Sequence, residues 1–249
     1  VRQEGVPSPR PARLIPPQGA PLMFLGHIGL ALAARRAAPR TSLGTLLLAA
    51  QALDGGWALL LAARLERAMA PVLMAGGPPE IGNGPITHSL PFAVACAMAI
   101  GGAYFLMRRY AAGAVVVGAL ILSHWLLDAA ADLPARLPLA AGVPVLLLAE
   151  SALFLVGVTI YLRATRARDW VGSWGLGFGL VALLACFAAA IFAPQPLHSQ
   201  AFVLAVLGSA FFAPLGFWLE RHRMPTGLTG PELFASRLGG RGLAVGMFL

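Results

Sequence analysis

Residues 111–131 read AAGAVVVGALILSHWLLDAAA. The segment has no Arg or Lys, and its length matches the ~20 residues that a helix needs to cross a hydrocarbon core ~30 Å thick. Two ionisable side chains interrupt it, His124 and Asp128, and residues four positions apart lie on the same face of a helix. The segment therefore predicts a transmembrane helix with a His/Asp pair on one face.

The composition of the whole chain is that of an integral membrane protein. Of its 249 residues 58% are hydrophobic and 11% are charged, whereas a soluble domain carries roughly 25% charged residues. The net charge of +8 comes from Arg without Lys, clustered between apolar runs and without interleaved aromatic residues, so no nucleic-acid partner is expected. The Lys-free composition, rich in Ala, Arg, Gly and Pro, is typical of a GC-rich bacterial genome.

Six apolar segments are close to the length of a membrane span. They are Leu43–Ala63, Ile86–Met107, Ala111–Ala131, Val143–Leu162, Trp174–Ala193 and Ala201–Leu219. A shorter apolar stretch, Phe24–Ala34, is too short to cross the core and predicts a re-entrant helix that contains His27. The predicted fold is an all-α polytopic membrane helix bundle of about six transmembrane helices plus one short re-entrant N-terminal helix. Gly175 and Gly179 form a small-xxx-small pair that would allow close helix packing.

The flanking segments differ from this membrane domain, which we place at residues 23–220. Residues 1–22 contain six prolines and no apolar periodicity, so we expect a disordered N-terminal extension. Translation from Met23 and a genuine cytoplasmic tail both remain open for this segment. Residues 221–249 are Gly-rich and predict a C-terminal tail.

The arginines predict the orientation of the chain in the membrane. Alternate loops divide them twelve to three, and basic residues accumulate on the cytoplasmic side. Both termini are therefore expected in the cytoplasm of a multi-pass protein of the bacterial inner membrane. The same topology is expected to place His88, His124, Asp128, Asp132 and Glu150 in the outer half of the bilayer, with Asp54 near its midplane.

The few ionisable residues in or beside the predicted spans are the candidates for function, because such groups are costly in a bilayer. They are His27, Asp54, His88, His124, Asp128, Asp132 and Glu150. His and Asp at a spacing of four can bind one divalent cation, or the carboxylate can orient the imidazole. A His/Asp set without thiolates suits Zn²⁺, Mn²⁺ or Fe²⁺, and we expect Zn²⁺.

Four motifs, in this order, resemble a known family. They are GHIGLALAA around His27, LLLAAQALDGGW around Asp54, PITHSLPFA around His88, and LILSHWLLDAAAD around His124 and Asp128. Over residues 23–132 the chain is similar to the YdjM-like bacterial inner-membrane proteins, described as membrane-bound metal-dependent hydrolases. The resemblance implies a metal site made from these residues. Relatives carry a His where this chain has Asp132, so both a retained acidic ligand and a weakened activity are open.

The leading hypothesis is a membrane hydrolase with His27, Asp54, His88, His124 and Asp128 as metal ligands. A metal-activated water would attack an ester or phosphoester of a lipid-like or small-molecule substrate, with Asp132 or Glu150 as general base or positioning carboxylate. One alternative is a proton- or cation-coupled permease that uses the intramembrane acids. The other is a non-catalytic membrane scaffold in which the polar side chains only join helices.

Overall fold

The computed structural model describes residues 25–63, 86–135, 139–192 and 211–226, and these ranges are mostly helical. A 3₁₀ turn spans Ile86–His88 and a π-helical turn spans Val171–Gly175. Two short strands, β1 (Thr165–Ala167) and β2 (Arg223–Pro225), pair antiparallel. The helices are α1 (Leu25–Ala37), α2 (Leu43–Ala50), α3 (Ala52–Ala62), α4 (Leu90–Arg108), α5 (Ala111–Ala135), α6 (Leu139–Ala164), α7 (Leu176–Phe192) and α8 (residues 211–222).

Three helices are long and apolar enough to cross a membrane, which is compatible with a membrane protein. They are α4, the Ala111–Ala131 part of α5 and the Pro144–Ala164 part of α6, and they correspond to the second, third and fourth predicted spans. The predicted total of about six is not confirmed. The π-helical turn and α7 together cover most of the fifth predicted span, whereas half of the sixth lies outside the described residues. Residues 1–24 and 227–249, which include the predicted N-terminal extension and most of the predicted tail, also lie outside them.

The first predicted span is not one straight helix. It is divided into α2 and α3, which are bent by 58° at Gln51, and the pair counts as a fourth span only if both helices belong to one crossing. Ser42 caps the start of α2 by accepting a hydrogen bond from the amide of Thr45 at 3.1 Å. Gln51 ends α2 with φ −106° and ψ 10°. The predicted span Leu43–Ala63 therefore corresponds to two helices separated by a bend, and whether both belong to one crossing stays a prediction.

The short helix α1 lies in the core of the bundle. Its 13 residues extend about 20 Å, which is less than a bilayer core. Leu25, Ile28 and Leu32 are almost fully buried, and α1 packs most extensively against α6 and also against α2 and α5. The shortness expected from the sequence agrees with the structure, and the enclosure of α1 by longer helices buries His27.

Glycine permits the close approach of α1 and α6. A Cβ atom on Gly29 would lie 2.7 Å from the carbonyl oxygen of Leu153, and one on Gly157 would collide with the carbonyl oxygen of Gly29. Backbones that come this close leave no room for a side chain, as is common where membrane helices pack. The predicted pair Gly175 and Gly179 does not mark such a contact within the described residues, because a Cβ on Gly179 would meet nothing within 4 Å.

A buried ion pair joins the two ends of the described chain. Arg35 is 5% exposed and its guanidinium lies 3.0 Å from the Glu220 carboxylate in α8. The same carboxylate accepts a hydrogen bond from the amide of Leu43 at 2.8 Å, and Arg35 also donates to the carbonyl of Thr41. Buried charges persist when they are paired and hydrogen-bonded in this way, so α8 is fixed against α1 and the start of α2.

We expect Gly29→Ala to destabilise the protein and Gly102→Ala to leave it unchanged or slightly more stable. The new methyl group at position 29 meets backbone atoms that cannot move aside, and overpacking costs about 1–3 kcal/mol. Gly102 lies in the middle of α4 with no described atom within 4 Å of an added Cβ, where Ala is the better helix former. Thermal unfolding in detergent micelles measures both. Equal stability of the two variants would contradict the close α1–α6 packing.

Candidate metal centre

The five predicted ligands lie together, although they come from four separate elements. His27 is in the first turn of α1, Asp54 in the first turn of α3, His88 in the 3₁₀ turn, and His124 and Asp128 on one face of α5. They form two overlapping groups, His27–His124–Asp128 and Asp54–His88–His124, in each of which one ligand atom per residue lies within 4.8 Å of the others. His124 belongs to both groups and is the centre of the cluster.

Asp128 is in reach of all three imidazoles. Its Oδ1 lies 3.6 Å from Nε2 of His27, and its Oδ2 lies 3.4 Å from Nε2 of His124 and 3.7 Å from Nε2 of His88. The three rings therefore present the same nitrogen to a single carboxylate. This convergence follows from the position of Asp128 one helical turn after His124, on the side of α5 that α1 and the 3₁₀ turn approach.

Asp54 of α3 completes the cluster. Its Oδ1 accepts a hydrogen bond from Nε2 of His88 at 3.2 Å and lies 3.6 Å from Nε2 of His124. The bend at Gln51 directs α3, and with it Asp54, towards α5 and the 3₁₀ turn. The bend that the sequence did not predict therefore contributes to the geometry of the cluster.

Within each of the two groups, the spacing of these atoms is close to that around one small divalent ion. Ligand atoms at 2.0–2.1 Å from a tetrahedral Zn²⁺ are about 3.3 Å apart. The separations between imidazole nitrogens and carboxylate oxygens are 3.2–3.7 Å, so an ion would require only small movements of the side chains. The donor set of imidazole and carboxylate, without thiolate, also suits Mn²⁺ and Fe²⁺.

A hydrogen bond to the backbone fixes the ring of His124. Its Nδ1 lies 2.6 Å from the carbonyl oxygen of Ala50, the last residue of α2. The last carbonyls of a helix have no partner within that helix, so this oxygen is available to the imidazole. With Nδ1 donating to it, the lone pair of Nε2 is directed at the carboxylates, which is how backbone groups orient metal-binding histidines. Nothing in the sequence pattern had indicated the role of Ala50.

Each residue of the Thr87-His88-Ser89 motif has a different role. Thr87 is fully buried, and its hydroxyl lies 3.1 Å from Nδ1 of His88, which orients the ring. Ser89 caps α4 by accepting a hydrogen bond from the amide of Phe92 at 3.4 Å. The motif therefore starts a helix and holds an imidazole at its N-terminus. Sequence reasoning had selected only the His, although the adjacent hydroxyl residues were the signal for this arrangement.

The cluster is closed around His27 and His124 and more open at its two carboxylates. His27 and His124 are each 1% exposed, whereas the side chains of Asp54 and Asp128 are about one-third exposed. The rings of His27 and His124 pack with centroids 4.0 Å apart, which restricts both. Among the described residues of the cluster, Asp54 and Asp128 are therefore the ones that water or a substrate can reach most easily.

The two predicted catalytic acids have different positions. Glu150 of α6 is fully buried, and its carboxylate accepts a hydrogen bond from the amide of Gly26 at 2.9 Å, directly before His27. This bond positions the start of α1 and thereby the backbone of His27. Asp132 lies in α5 one turn beyond Asp128, but its side chain lies outside the described part of the structure.

Comparisons of the chain with protein-family models, with curated proteins and with solved structures find no match. The resemblance to a hydrolase family therefore rests on the four motifs alone. What the cluster can do has to be inferred from its own residues and geometry.

We expect His124→Ala and Asp128→Asn each to abolish binding of Zn²⁺ by the detergent-purified protein. His124 belongs to both groups and Asp128 is in reach of all three imidazoles, so either change removes a central ligand. Elemental analysis after dialysis against Zn²⁺ measures the metal content. His222→Ala is the matched control. His222 is the last residue of α8 and pairs at 2.7 Å with Asp169, which is not part of the cluster. Full metal content in the His124 variant would contradict a metal site here.

The site is expected to hold one ion per chain. Both ligand groups need His124, whose Nδ1 is occupied by Ala50 and whose Nε2 has a single lone pair. One imidazole nitrogen cannot bind two ions at once, so the two groups cannot both use His124 for separate ions. Elemental analysis should give a metal-to-protein ratio close to one, and a saturating ratio of two would overturn this interpretation.

Proposed function

We propose that the chain is a membrane-embedded, metal-dependent hydrolase acting on an ester or phosphoester. One observation carries this proposal: three imidazole Nε2 atoms converge on two carboxylates that remain accessible from one side. When bound there, a divalent ion such as Zn²⁺ lowers the pKa of water to about 7 and so provides a nucleophile at neutral pH.

The residues of the cluster have distinct tasks in this proposal. His27 and His124 are buried and restrained, so they would serve as rigid imidazole ligands of the ion. Asp54 and Asp128 offset the charge of the ion and face the open side, where they hydrogen-bond and orient the attacking water. Rigid ligands with one accessible side are what a catalytic site requires, whereas a structural metal site is closed.

Proton transfer is assigned to Asp132, with Glu150 as a positioning residue. Asp132 follows Asp128 by four residues in α5, a spacing that favours the same face of the helix. We therefore assign proton transfer to this acid. Glu150 hydrogen-bonds the backbone beside His27 and acts through α1. A carboxylate near an activated water is a suitable general base.

The proposed setting is the bacterial inner membrane, with both termini in the cytoplasm. His88 precedes α4, and His124 and Asp128 are in the second half of α5, so the cluster lies towards the ends of these helices opposite Arg108 and Arg109. With the Arg-rich end cytoplasmic, the cluster is in the outer half of the bilayer. A substrate with an apolar part, such as a lipid-like ester, can reach a site at this depth.

A permease based on the intramembrane acids has less support from the geometry. A proton relay needs carboxylates in sequence along a path, whereas Asp54 and Asp128 face the same three imidazoles and Glu150 contacts the amide of Gly26. A purely structural role is also less well supported, since interhelical hydrogen bonds do not require three histidines to present the same nitrogen to shared acids.

We expect the Zn²⁺-loaded protein to hydrolyse p-nitrophenyl esters or bis-p-nitrophenyl phosphate, and a chelator to abolish this activity. Asp132→Asn should retain the metal and lower kcat about 10²–10⁴-fold, as loss of a general base does. Release of p-nitrophenol measures the rate, with His222→Ala as the active control. A fully loaded protein that hydrolyses neither class, or an Asp132→Asn variant with unchanged kcat, would contradict the proposal.

A further inference from the structure

An apolar groove runs between α2, α4 and α5, outside the metal cluster. Its volume is about 330 Å³, which is within the ~300–1,000 Å³ range of small-molecule sites. Its apolar walls come from α2 and the start of α3, from the second half of α4 and from α5; they include Leu48, Ala52, Ile100, Ala103, Met107 and Val117. From Ile100 to Arg108 the groove follows α4 for about 12 Å, enough for part of one extended acyl chain.

The groove ends in a cationic and aromatic cluster. Tyr104 and Arg108 line both the groove and a small polar cleft that Arg40 and Tyr110 complete. The Arg40 guanidinium lies 4.8 Å from the centre of the Tyr110 ring, which orients it over the cleft. The hydroxyl of Tyr104 is held 2.9 Å from that of Thr41. A ligand that fits both parts has an anionic head and an apolar chain.

We propose that this groove is a binding site for an anionic phospholipid, with one acyl chain between α2 and α4 and the phosphate at Arg40 and Arg108. Arginine presents several N–H donors in a planar fork that matches phosphate oxygens. The cleft is at the Arg-rich end of the bundle, where basic residues between helices meet the lipid headgroups of the cytoplasmic leaflet.

This lipid site is separate from the metal cluster. His88 precedes α4 and Arg108 ends it, and a helix of 19 residues places its two ends roughly 28 Å apart. The phosphate at Arg108 is therefore beyond the reach of the metal ligands. The bound phospholipid holds the bent α2–α3 segment against α4 and is not the substrate. Its binding does not depend on the proposed hydrolysis.

Native mass spectrometry of the delipidated full chain in detergent tests the proposal. We expect dioleoyl phosphatidylglycerol to bind at least about tenfold more tightly than dioleoyl phosphatidylcholine. Arg40→Gln and Arg108→Gln should each weaken phosphatidylglycerol binding about fivefold, because each removes one cation near the headgroup. Ala103→Trp should weaken binding of both lipids by filling the groove, while leaving metal content unchanged.

Two matched controls make the result specific. Arg36→Gln combined with Arg109→Gln removes two arginines from the same end of the bundle that are not among the described groove-lining residues. Met98→Trp introduces the same side chain into α4 at a position that is 74% exposed and also outside that set. Neither control should change phosphatidylglycerol binding. Equal weakening by the control pair, unchanged binding in Ala103→Trp, or oleate binding as tightly as phosphatidylglycerol would each overturn the phospholipid site.

Discussion

The hydrogen bond between His124 and the carbonyl of Ala50 lies where the helix through residues 43–62 is interrupted. In a continuous helix that carbonyl would already accept from the amide four residues later, whereas here it ends α2 and is left for the imidazole. The interruption also turns α3 so that Asp54 faces His88 and His124. One break in the backbone therefore both orients the central imidazole and positions a carboxylate, and the other three ligands assemble around that pair.

The sequence predicted the residues of the cluster better than the helices that carry them. A bilayer excludes ionisable groups so strongly that the few exceptions can be selected by inspection, and His27, Asp54, His88, His124 and Asp128 do lie together. Hydropathy also located α4, α5 and α6, because an apolar run of that length has few other structures available. Neither the rarity of ionisable residues nor the length of an apolar run depends on how helices pack, so both could be predicted from the sequence.

Features that depend on packing were not predictable in the same way. Gln51 is one polar residue in an apolar run, and whether it ends a helix depends on partners elsewhere in the chain. The glycines that matter for α1 and α6 are 128 positions apart, at 29 and 157, whereas a sequence motif finds only glycines within a single helix. The contact of Glu150 with Gly26 is equally non-local. Contacts between distant segments follow from the whole bundle rather than from any local pattern.

The Arg35–Glu220 pair also has a consequence for the biogenesis of the protein. The Glu220 carboxylate contacts Arg35 and the amide of Leu43, from which it is separated by 177 residues. At a synthesis rate of ~5–20 residues per second, this acid leaves the ribosome on the order of 10–30 s after the segment it neutralises. During that interval the arginine of the first helix has to remain hydrated or paired with lipid phosphate. The ion pair between α1 and α8 therefore forms only after most of the described chain has been synthesised.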